Sequence, residues 1–354
     1  MAAAVVVMFG LVVVTVTVGT SGRATAPVPA RPATDVPGPL DGSARARLAG
    51  DDHLLPLSDP LPLDLAGSGY DLPEAASLYA ARILDGVDGG PSRYVDYVAG
   101  GGALARDFWP ASSVKLLAAL GALDFAASLG FTGAATVGVD AGYTWTLREI
   151  YQSALVDSDN LDYDMLIRIA GFDRLNADFL SPANGFPTTV IQRSYAGLDV
   201  RWSPEMTFEE DGRTLLVPAR EGTGEYDCPD EGNCTDLFEL SEAVRRLVLD
   251  PSVAPAERFA VSPADIDALA TALTGAGAGS FFAAGVERVF GPGATVQGKP
   301  GVAYGRDCVD TAVVTTPAGD RYLLSATIPD DDFEVECEGL SDLAAAVLGL
   351  LASP

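Results

Sequence analysis

The sequence predicts an α+β fold, an α/β sandwich in which one antiparallel sheet is formed by both chain ends. Helices flank this sheet, and an all-helical lobe is inserted between the two groups of strands. Three observations support this fold. Strand patterns occur near the start and again near the end of the folded region, the segment between them carries mainly helical patterns, and 48% of the residues are hydrophobic, which suits a large core.

The first residues are organised differently from the rest of the chain. An apolar run covers Ala2 to Gly19, and an A-x-A sequence typical of a signal-peptidase site ends at Ala26. Residues 1–26 are therefore predicted to be a signal peptide or an uncleaved N-terminal anchor, and both alternatives stay open. Residues 27–66 are rich in proline, alanine and aspartate, which is typical of an extended linker. Residues 67–354 are then the folded domain, and the chain is predicted to be exported, to an extracellular, periplasmic or cell-envelope location.

The folded domain has a definite order of predicted elements. Strands are predicted at 79–84, 94–98, 294–297, 310–316 and 321–328, the third running on past Lys299 and the last two joined by a hairpin turn at 317–320. Helices are predicted at 112–129, 146–156, 161–169, 237–249, 263–273 and 340–351. The second helix opens with Thr146 and Glu149 in the pattern of a capping box.

Composition excludes several classes of function. The net charge is −27, which disfavours binding to nucleic acid or to an anionic lipid surface. The only histidine is His53, in the predicted linker, so neither a Ser-His-Asp triad nor a typical zinc site fits. Nucleophilic catalysis in this chain must therefore use a lysine or a carboxylate as base, and no metal or other cofactor is predicted.

Four cysteines predict two disulfides. Cys228 and Cys234 flank a turn-rich insert, which favours a local bridge. Cys308 lies just before one strand of the final hairpin and Cys337 shortly after the other, and antiparallel pairing brings those ends together. An exported chain favours both bridges. The alternative is four free thiols in a reducing compartment.

Ser112 and Lys115 form an S-x-x-K motif at the start of a predicted helix. Residues three apart share one helix face, so the hydroxyl and the amine can meet. From Ser112 to Leu129 the only charged residues are Lys115 and Asp124, and a helix this apolar is predicted to be buried. Burial pushes a lysine toward its neutral form, and a neutral amine beside a hydroxyl can act as a general base. The alternative is an ordinary lysine in the first turn of a helix.

Two further polar motifs follow along the chain. The S-D-N sequence from Ser158 to Asn160 falls at the break between two predicted helices, where a helix N-cap is the alternative interpretation. The K-P-G sequence from Lys299 to Gly301 lies on a strand that two more strands and a helix follow. An edge-strand turn is the alternative there, and Pro300 itself predicts an edge position.

In this order, the three motifs resemble the S-x-x-K, S-D-N and K-T-G set of class A β-lactamases and penicillin-binding proteins. The resemblance covers residues 74–352. It implies a serine hydrolase that forms an acyl-enzyme on Ser112, with Lys115 as general base and Ser158 as proton relay to the leaving nitrogen. The implied partner is a β-lactam or a peptidoglycan-like small-molecule or peptide substrate, with no obligate protein partner. The alternatives are a D,D-peptidase-like enzyme and a non-catalytic cell-envelope binding protein that retains the fold.

The resemblance also implies which residues bind substrate. These are Asn160, Lys299 and Gly301, with the amide of Val302 completing an oxyanion hole together with the amide of the nucleophile. Lys299 attracts a substrate carboxylate, and Gly301 lets the substrate approach the backbone. Pro300 departs from the family pattern because it replaces a threonine, which removes a hydroxyl and an amide hydrogen.

Deacylation is where the sequence departs furthest from the class A pattern. Those enzymes position the hydrolytic water with a glutamate on a loop that typically reads Arg-Trp-Glu-Pro-Glu. Residues 201–205 read Arg-Trp-Ser-Pro-Glu, which places Ser203 where the glutamate is expected. A serine hydroxyl is not basic near neutral pH, so slow deacylation is predicted. Glu205 replaces that base only if the loop is rearranged.

Overall fold

The computed structural model describes residues 60–85, 92–139, 142–229, 232–277, 279–329 and 337–353. The predicted signal peptide or anchor, most of the predicted linker and His53 lie outside the described residues. The α-helices of the described residues are α1 (Lys115–Ser128), α2 (Leu147–Gln152), α3 (Asn160–Ala170), α4 (Leu237–Val248), α5 (Pro263–Gly277), α6 (Ala283–Phe290) and α7 (Glu338–Leu351).

The strands are short in the middle of the chain and longest at its end. They are β1 (Leu61–Pro62), β2 (Ser77–Leu84), β3 (Arg93–Ala99), β4 (Thr136–Val139), β5 (Tyr143–Thr146), β6 (Trp202–Ser203), β7 (Met206–Glu210), β8 (Arg213–Val217), β9 (Arg220–Glu221), β10 (Thr295–Gly298), β11 (Gly301–Ala303), β12 (Asp307–Thr315) and β13 (Arg321–Pro329).

The largest sheet joins the beginning and the end of the fold. Its strand order is β1-β3-β2-β13-β12-β10, and β11 also pairs with β12. All of these pairings are antiparallel except that of β1 with β3. The early strand β2 pairs with the last strand β13, where Tyr79 lies opposite Ser325. The predicted α+β class, with one sheet formed by both chain ends and flanked by helices, is therefore confirmed.

Side chains on the two faces of this sheet enter two separate cores. On β12, Val309 and Val313 belong to the core that contains α1 and α4, whereas Ala312 and Val314 belong to the core that contains α6 and α7. Successive residues of a strand point to opposite faces, so a sheet covered on both sides needs nearly continuous apolar strands. Each valine buried in this way contributes about 1.5–3 kcal/mol relative to exposure.

Helix α1 lies inside the first core, as its composition predicts. The window Ala111–Ser128 is long and apolar enough to cross a membrane, but 78% of it is buried inside the fold. Its second charged residue, Asp124, accepts a 2.8 Å hydrogen bond from Arg174 at the edge of the core. The helix is therefore a core helix of this domain, and it carries Lys115 at its buried first position.

The inserted lobe is not all-helical, which corrects the prediction. It contains a four-stranded antiparallel sheet of order β5-β4-β7-β8 and a two-stranded sheet of β6 and β9. In the larger sheet Val137 on β4 lies opposite Phe208 on β7, and both are buried. These strands are four or five residues long, so their alternating pattern is too short to be recognised along the chain. The two hairpins that they form, β4 with β5 and β7 with β8, meet through β4 and β7, which lie about seventy residues apart in sequence.

Element boundaries also differ from the prediction in three places. Strand β1 pairs with β3, and Leu65 is buried, so the chain joins the fold before residue 67. Helix α6 was not predicted. The helix predicted at 146–156 ends as an α-helix at Gln152 and continues as a π-helical turn, Ser153–Asp157. Its predicted capping box is present between Thr146 and Glu149.

Both predicted disulfides are present. Cys228 is bonded to Cys234, and Cys308 is bonded to Cys337. The second bridge ties β12 to the start of α7 across 29 residues of sequence. The first closes the small loop before α4.

Candidate active site

Ser112 lies in a tight turn that precedes α1. The turn, Ala111–Val114, is a single 3₁₀ turn in which Ala111 adopts a left-handed φ of 47°. An alanine with positive φ is strained, and such strain persists only where the surroundings hold it. Here the Tyr195 hydroxyl donates a 2.8 Å hydrogen bond to the carbonyl of Ala111, and Ser113 donates to Pro110 from both its amide and its hydroxyl. The Ser112 side chain is partly exposed to a cleft, whereas Ala111 and Ser113 are buried.

Lys115 lies one turn further on, with its ammonium group out of solvent. Its Nζ donates to the carbonyl of Ser158, to Ser158 Oγ at 3.3 Å and to Asn160 Oδ1 at 2.8 Å. The rings of Tyr163 and Tyr195 lie 5.9 Å from the same Nζ. Burial, with the positive charge of Lys299 as a second cause, lowers the pKa of Lys115 to about 7. A substantial fraction of this lysine is therefore a neutral amine at neutral pH, which is the form a general base needs.

Ser158 is held by a break in the helical path. The π-helical turn before it ends with the Ser158 backbone in the left-handed region, at φ 56° and ψ 34°, and the amide of Ser158 bonds back to the carbonyl of Ser153. Asp159 then caps α3 by accepting from the amide of Asp162 at 2.9 Å. The N-cap interpretation therefore holds for Asp159, and the cap turns Ser158 and Asn160 toward the cleft.

Lys299 approaches the same serine from the edge of the large sheet. Its Nζ donates to Ser158 Oγ at 3.1 Å, so Ser158 lies within hydrogen-bond distance of two lysines. Burial lowers the pKa of Lys299 to about 8, although the charge of the buried Asp310 carboxylate acts in the opposite direction. Pro300 separates β10 from β11 at the edge of the sheet, as predicted. Proline has no amide hydrogen to donate to a neighbouring strand, and at the sheet edge none is needed.

Gly301 brings β11 against the nucleophile turn. A Cβ atom at this position would lie 2.8 Å from the amide nitrogens of Ser112 and Ser113 and 2.8 Å from the carbonyl oxygen of Pro110. Backbone atoms cannot yield to such a contact, so only glycine fits. The amide of Ser112 and the next residue on the strand, Val302, therefore border the same part of the cleft.

The cleft has a volume of about 860 Å³ and an unusual charge balance. Six of the seven predicted site residues line it. The seventh, Lys115, is buried and donates hydrogen bonds to two of these six, Ser158 and Asn160. Among the described residues that line it, the charged ones are Arg193, Lys299 and Arg306, and none is an aspartate or a glutamate. In a chain of net charge −27, this concentration of positive charge favours an anionic ligand.

Ser203 does not lie where the sequence predicts, beside the nucleophile. Ser203 lies on β6, which pairs with β9, and neither it nor Glu205 lines the cleft. Its side chain is buried, and its hydroxyl has no partner among the described residues. The interpretation of residues 201–205 as the loop that positions a hydrolytic water is therefore wrong. The five-letter similarity lies in a segment that folds away from Ser112.

The residues that do face this side of the cleft come from the loop 193–198. Asp164 on α3 organises this loop, because its carboxylate accepts from the amides of Tyr195, Ala196 and Leu198 and from the Ser194 hydroxyl. The loop presents Tyr195 to the cleft, stacked on Tyr163 with ring centroids 4.6 Å apart. Burial raises the pKa of Tyr195 to about 12. This phenol is therefore protonated near neutral pH and is not a base.

Sequence reasoning missed a second group of cleft residues. Trp109, Arg193 and Arg306 line the cleft beside the nucleophile turn, and each guanidinium lies over the Trp109 ring, at 4.7 Å for Arg193 and 4.6 Å for Arg306. Trp109 was visible in the sequence only as a neighbour of Ser112. The two arginines carry no motif and come together only through the fold.

One comparison identifies the family of this chain. A family model described as "Beta-lactamase enzyme family" matches residues 125–349. That match contains Ser158, Asn160 and Lys299 and begins after Ser112 and Lys115. No curated protein matches the chain.

Many solved structures have a similar fold. A class A β-lactamase from Mycobacterium abscessus superposes with a TM-score of 0.55 at 17% identity, covering 82% of this chain and 98% of that one. A β-lactamase from Burkholderia ambifaria superposes with a TM-score of 0.54 at 17% identity, covering 82% of this chain and 100% of that one. A mutant of PBP-A, as an acyl-enzyme complex with penicillin G, superposes with a TM-score of 0.53 at 20% identity, covering 83% of this chain and 99% of that one. At these identities the likeness establishes the fold.

Proposed function

The chain belongs to the beta-lactamase enzyme family, and from that premise we propose that it is an exported serine hydrolase acting through a Ser112 acyl-enzyme. Its substrates are β-lactams or peptidoglycan-type amides. The observation that carries the proposal is the hydrogen-bonded group of Lys115, Ser158 and Lys299 next to Ser112 in one cleft. The two disulfides support an oxidising location outside the cytoplasm.

In the proposed reaction, the neutral amine of Lys115 takes the proton of the Ser112 hydroxyl as its oxygen attacks the substrate carbonyl. The C–N bond of the amide or lactam then breaks, and Ser158 passes a proton to the leaving nitrogen. Ser158 suits this role because Lys115 and Lys299 both lie within hydrogen-bond distance of its hydroxyl, which keeps a proton source beside the leaving group.

Four residues orient the substrate in this proposal. Lys299 attracts its carboxylate, the amides of Ser112 and Val302 hold the developing oxyanion, and Asn160 binds a substrate amide. The side-chain oxygen Oδ1 of Asn160 accepts a hydrogen bond from Lys115. The NH₂ group of Asn160, which lines the cleft, is then the donor for the substrate. Pro300 offers neither a hydroxyl nor an amide hydrogen, so carboxylate recognition rests on Lys299.

The direct test is acylation by a penicillin. After incubation, intact-mass analysis should show one added penicilloyl group per chain. A tryptic digest should locate it on the peptide that ends at Lys115 and begins at Asp107. Fragmentation then distinguishes Ser112 from the adjacent, buried Ser113. An adduct on any other peptide, or no adduct, contradicts the proposed nucleophile.

A second candidate is a D,D-peptidase-like enzyme, in which an amine or a slowly activated water receives the acyl group. The absence of a carboxylate among the described lining residues favours it, because that cleft lacks an evident base for rapid hydrolysis. The two candidates separate when penicillin turnover is compared with release of D-alanine from a muramyl-type peptide. A non-catalytic envelope protein would form no Ser112 adduct with either substrate.

The two lysines predict a narrow pH optimum for acylation. The rate should rise as the pH passes about 7, because Lys115 then becomes the neutral base. It should fall above about 8, because Lys299 then loses the charge that attracts the substrate carboxylate. Both lysines lie close to Ser158 and influence each other, so the two apparent pKa values read from the pH profile belong to the coupled pair. The measurement is the second-order rate of adduct formation across the neutral range.

A single variant tests the assignment of the acid limb. The charge of Lys299 is one cause of the low pKa of Lys115, so Lys299→Met should raise that pKa. The acid limb should then move to higher pH while the alkaline limb disappears. A profile for the wild-type chain that is flat below neutral pH contradicts the role of Lys115.

A further inference from the structure

We propose that Tyr195 is a positioning residue for the nucleophile, whose hydroxyl group fixes the strained turn at Ala111 so that Ser112 is presented to the substrate. The inference rests on the proposed function and deepens it, because the proposed reaction gives Tyr195 no part in proton transfer. Tyr195 acts on Ser112 through the backbone of the turn.

The first step of the argument is the strain at Ala111. Its φ of 47° lies in the left-handed region, where the Cβ atom of an alanine crowds a carbonyl oxygen. Ala111 directly precedes Ser112, so relaxation of its backbone would reorient both the hydroxyl and the amide of Ser112. The turn supplies one restraint, the bonds that Ser113 donates to the carbonyl of Pro110. Those bonds do not include the peptide unit between Ala111 and Ser112.

The second step is the bond that restrains this peptide unit. The Tyr195 hydroxyl donates to the carbonyl oxygen of Ala111 at 2.8 Å. That oxygen and the amide of Ser112 belong to one planar unit, and in a trans peptide the N–H points away from the C=O. A phenol that fixes the oxygen therefore also fixes the direction of the Ser112 amide, the donor assigned to the oxyanion hole. If the turn rotated, both the attack geometry and this donor would be lost.

The third step is the rigidity of the phenol. The Asp164 carboxylate accepts from three amides of the loop 193–198, including that of Tyr195 at 2.8 Å. The Tyr195 ring stacks on Tyr163, whose hydroxyl accepts from the Asn233 side chain at 2.9 Å. Asp164 and Tyr163 are fully buried. The Tyr195 hydroxyl is thus held in place before it bonds, which lowers the entropic cost of fixing the turn. Burial raises the pKa of Tyr195 to about 12, so this hydroxyl stays a donor near neutral pH.

Removing this hydroxyl should slow acylation of Ser112. Tyr195→Phe loses the bond to Ala111 and keeps the ring that stacks on Tyr163 and lies 5.9 Å from Lys115 Nζ. The second-order rate of adduct formation with penicillin should fall about tenfold, which corresponds to the loss of one hydrogen bond. Both limbs of the pH profile, near 7 and near 8, should stay in place because both lysines are unchanged. A variant that acylates at the wild-type rate overturns the proposal.

Tyr143→Phe is the matched control. It removes another phenolic hydroxyl of the same lobe, which donates at 2.7 Å to Asp162 on α3, and Tyr143 is not among the residues that line the described cleft. Its acylation rate should equal that of the wild type. A loss as large as that in Tyr195→Phe would show that any lost tyrosine bond loosens the lobe, which contradicts a specific role for Tyr195.

Ala111→Gly tests the strain on which the argument depends. Glycine adopts positive φ without strain, so the turn of this variant no longer needs the restraint. Adding Tyr195→Phe to Ala111→Gly should lower the acylation rate by less than ~3-fold, because the two changes act on the same peptide unit and are not additive. An equal loss in both backgrounds contradicts the proposal, because Tyr195 would then act by a route other than the strained turn.

Amide hydrogen exchange separates this inference from the proposed function, because it needs no substrate. The Ser113 amide, which donates to the carbonyl of Pro110 at 3.1 Å, reports on the turn and is followed by NMR. It should exchange about tenfold faster in Tyr195→Phe and at the wild-type rate in Tyr143→Phe. Faster exchange without any adduct on the wild-type chain supports the role of Tyr195 in the turn and contradicts the nucleophile. A wild-type adduct, with acylation and exchange both unchanged in Tyr195→Phe, contradicts the inference and leaves the proposed function standing.

Discussion

Replacing Lys115 with methionine is expected to slow acylation of Ser112 by ~10²–10⁴-fold, the usual range for loss of a general base. Lys115 donates a hydrogen bond to Ser158 at the start of the helix that follows Ser112, and burial lowers its pKa to about 7, the lower of the two lysine values in the site. Methionine keeps the volume of the side chain and removes the amine. The measurement is the second-order rate of adduct formation by intact mass.

Two controls keep this result interpretable. Ser112→Ala should form no adduct at all, which fixes the baseline. Lys115→Met also loses hydrogen bonds to Ser158 and Asn160, so its thermal unfolding and its dissociation constant for penicillin must be measured beside the wild type. A variant that is folded, binds penicillin and still acylates at the wild-type rate would show that another group is the base.

The pH profile distinguishes a chemical role from a structural one. If Lys115 acts only by supporting the turn, the methionine variant should be slow at every pH with the wild-type profile. If Lys115 is the base, the rise near neutral pH should vanish with the amine, because the other lysine of the site, Lys299, has a pKa of about 8 and its deprotonation lowers the rate instead of raising it.

The sequence predicted the parts of the fold that depend on long regular patterns. Strands β2, β3, β12 and β13 are seven to nine residues long, and helix α1 is apolar nearly all round, so period and composition identify them. The inserted four-stranded sheet could not be predicted in this way. Strand β5 reads Tyr-Thr-Trp-Thr with an exposed Trp145, and it is an edge strand that pairs with the equally short β4, which alone of the two pairs with the distant β7.

The candidate site shows the same division. The three motifs predicted that Ser112, Ser158 and Lys299 meet, and the structure brings them into one cleft, although their catalytic roles stay predictions. Loop 193–198 could not be predicted, because its place depends on Asp164, buried one residue after Tyr163 in the middle of a helix. The similarity around Ser203 was local in sequence and carried no information about which way the segment folds.

The adduct formed with penicillin is expected to persist, with hydrolysis ~10²–10⁴-fold slower than a positioned base would allow. The lining residues of the described cleft include no carboxylate. The loop side chain that contacts Lys115 is Tyr195, and burial raises the pKa of this phenol to about 12. Burial also raises the pKa of Tyr163, on which Tyr195 stacks. Water must then attack the ester without help. The measurement is loss of the added mass after free penicillin is removed.

A carboxylate at position 195 should shorten the life of the adduct. Tyr195→Glu places an acid on the cleft wall next to Lys115, and hydrolysis should be at least ~10-fold faster than in Tyr195→Gln, at the lower limit for a newly introduced base. Both variants lose the hydrogen bond to Ala111 and the stack on Tyr163, so the difference between them isolates the carboxylate. Ser203→Glu should leave the lifetime unchanged, because position 203 is buried away from the cleft. Rapid multiple turnover by the wild-type chain would contradict this account, since the hydrolytic water would then have a base outside the residues that line the cleft.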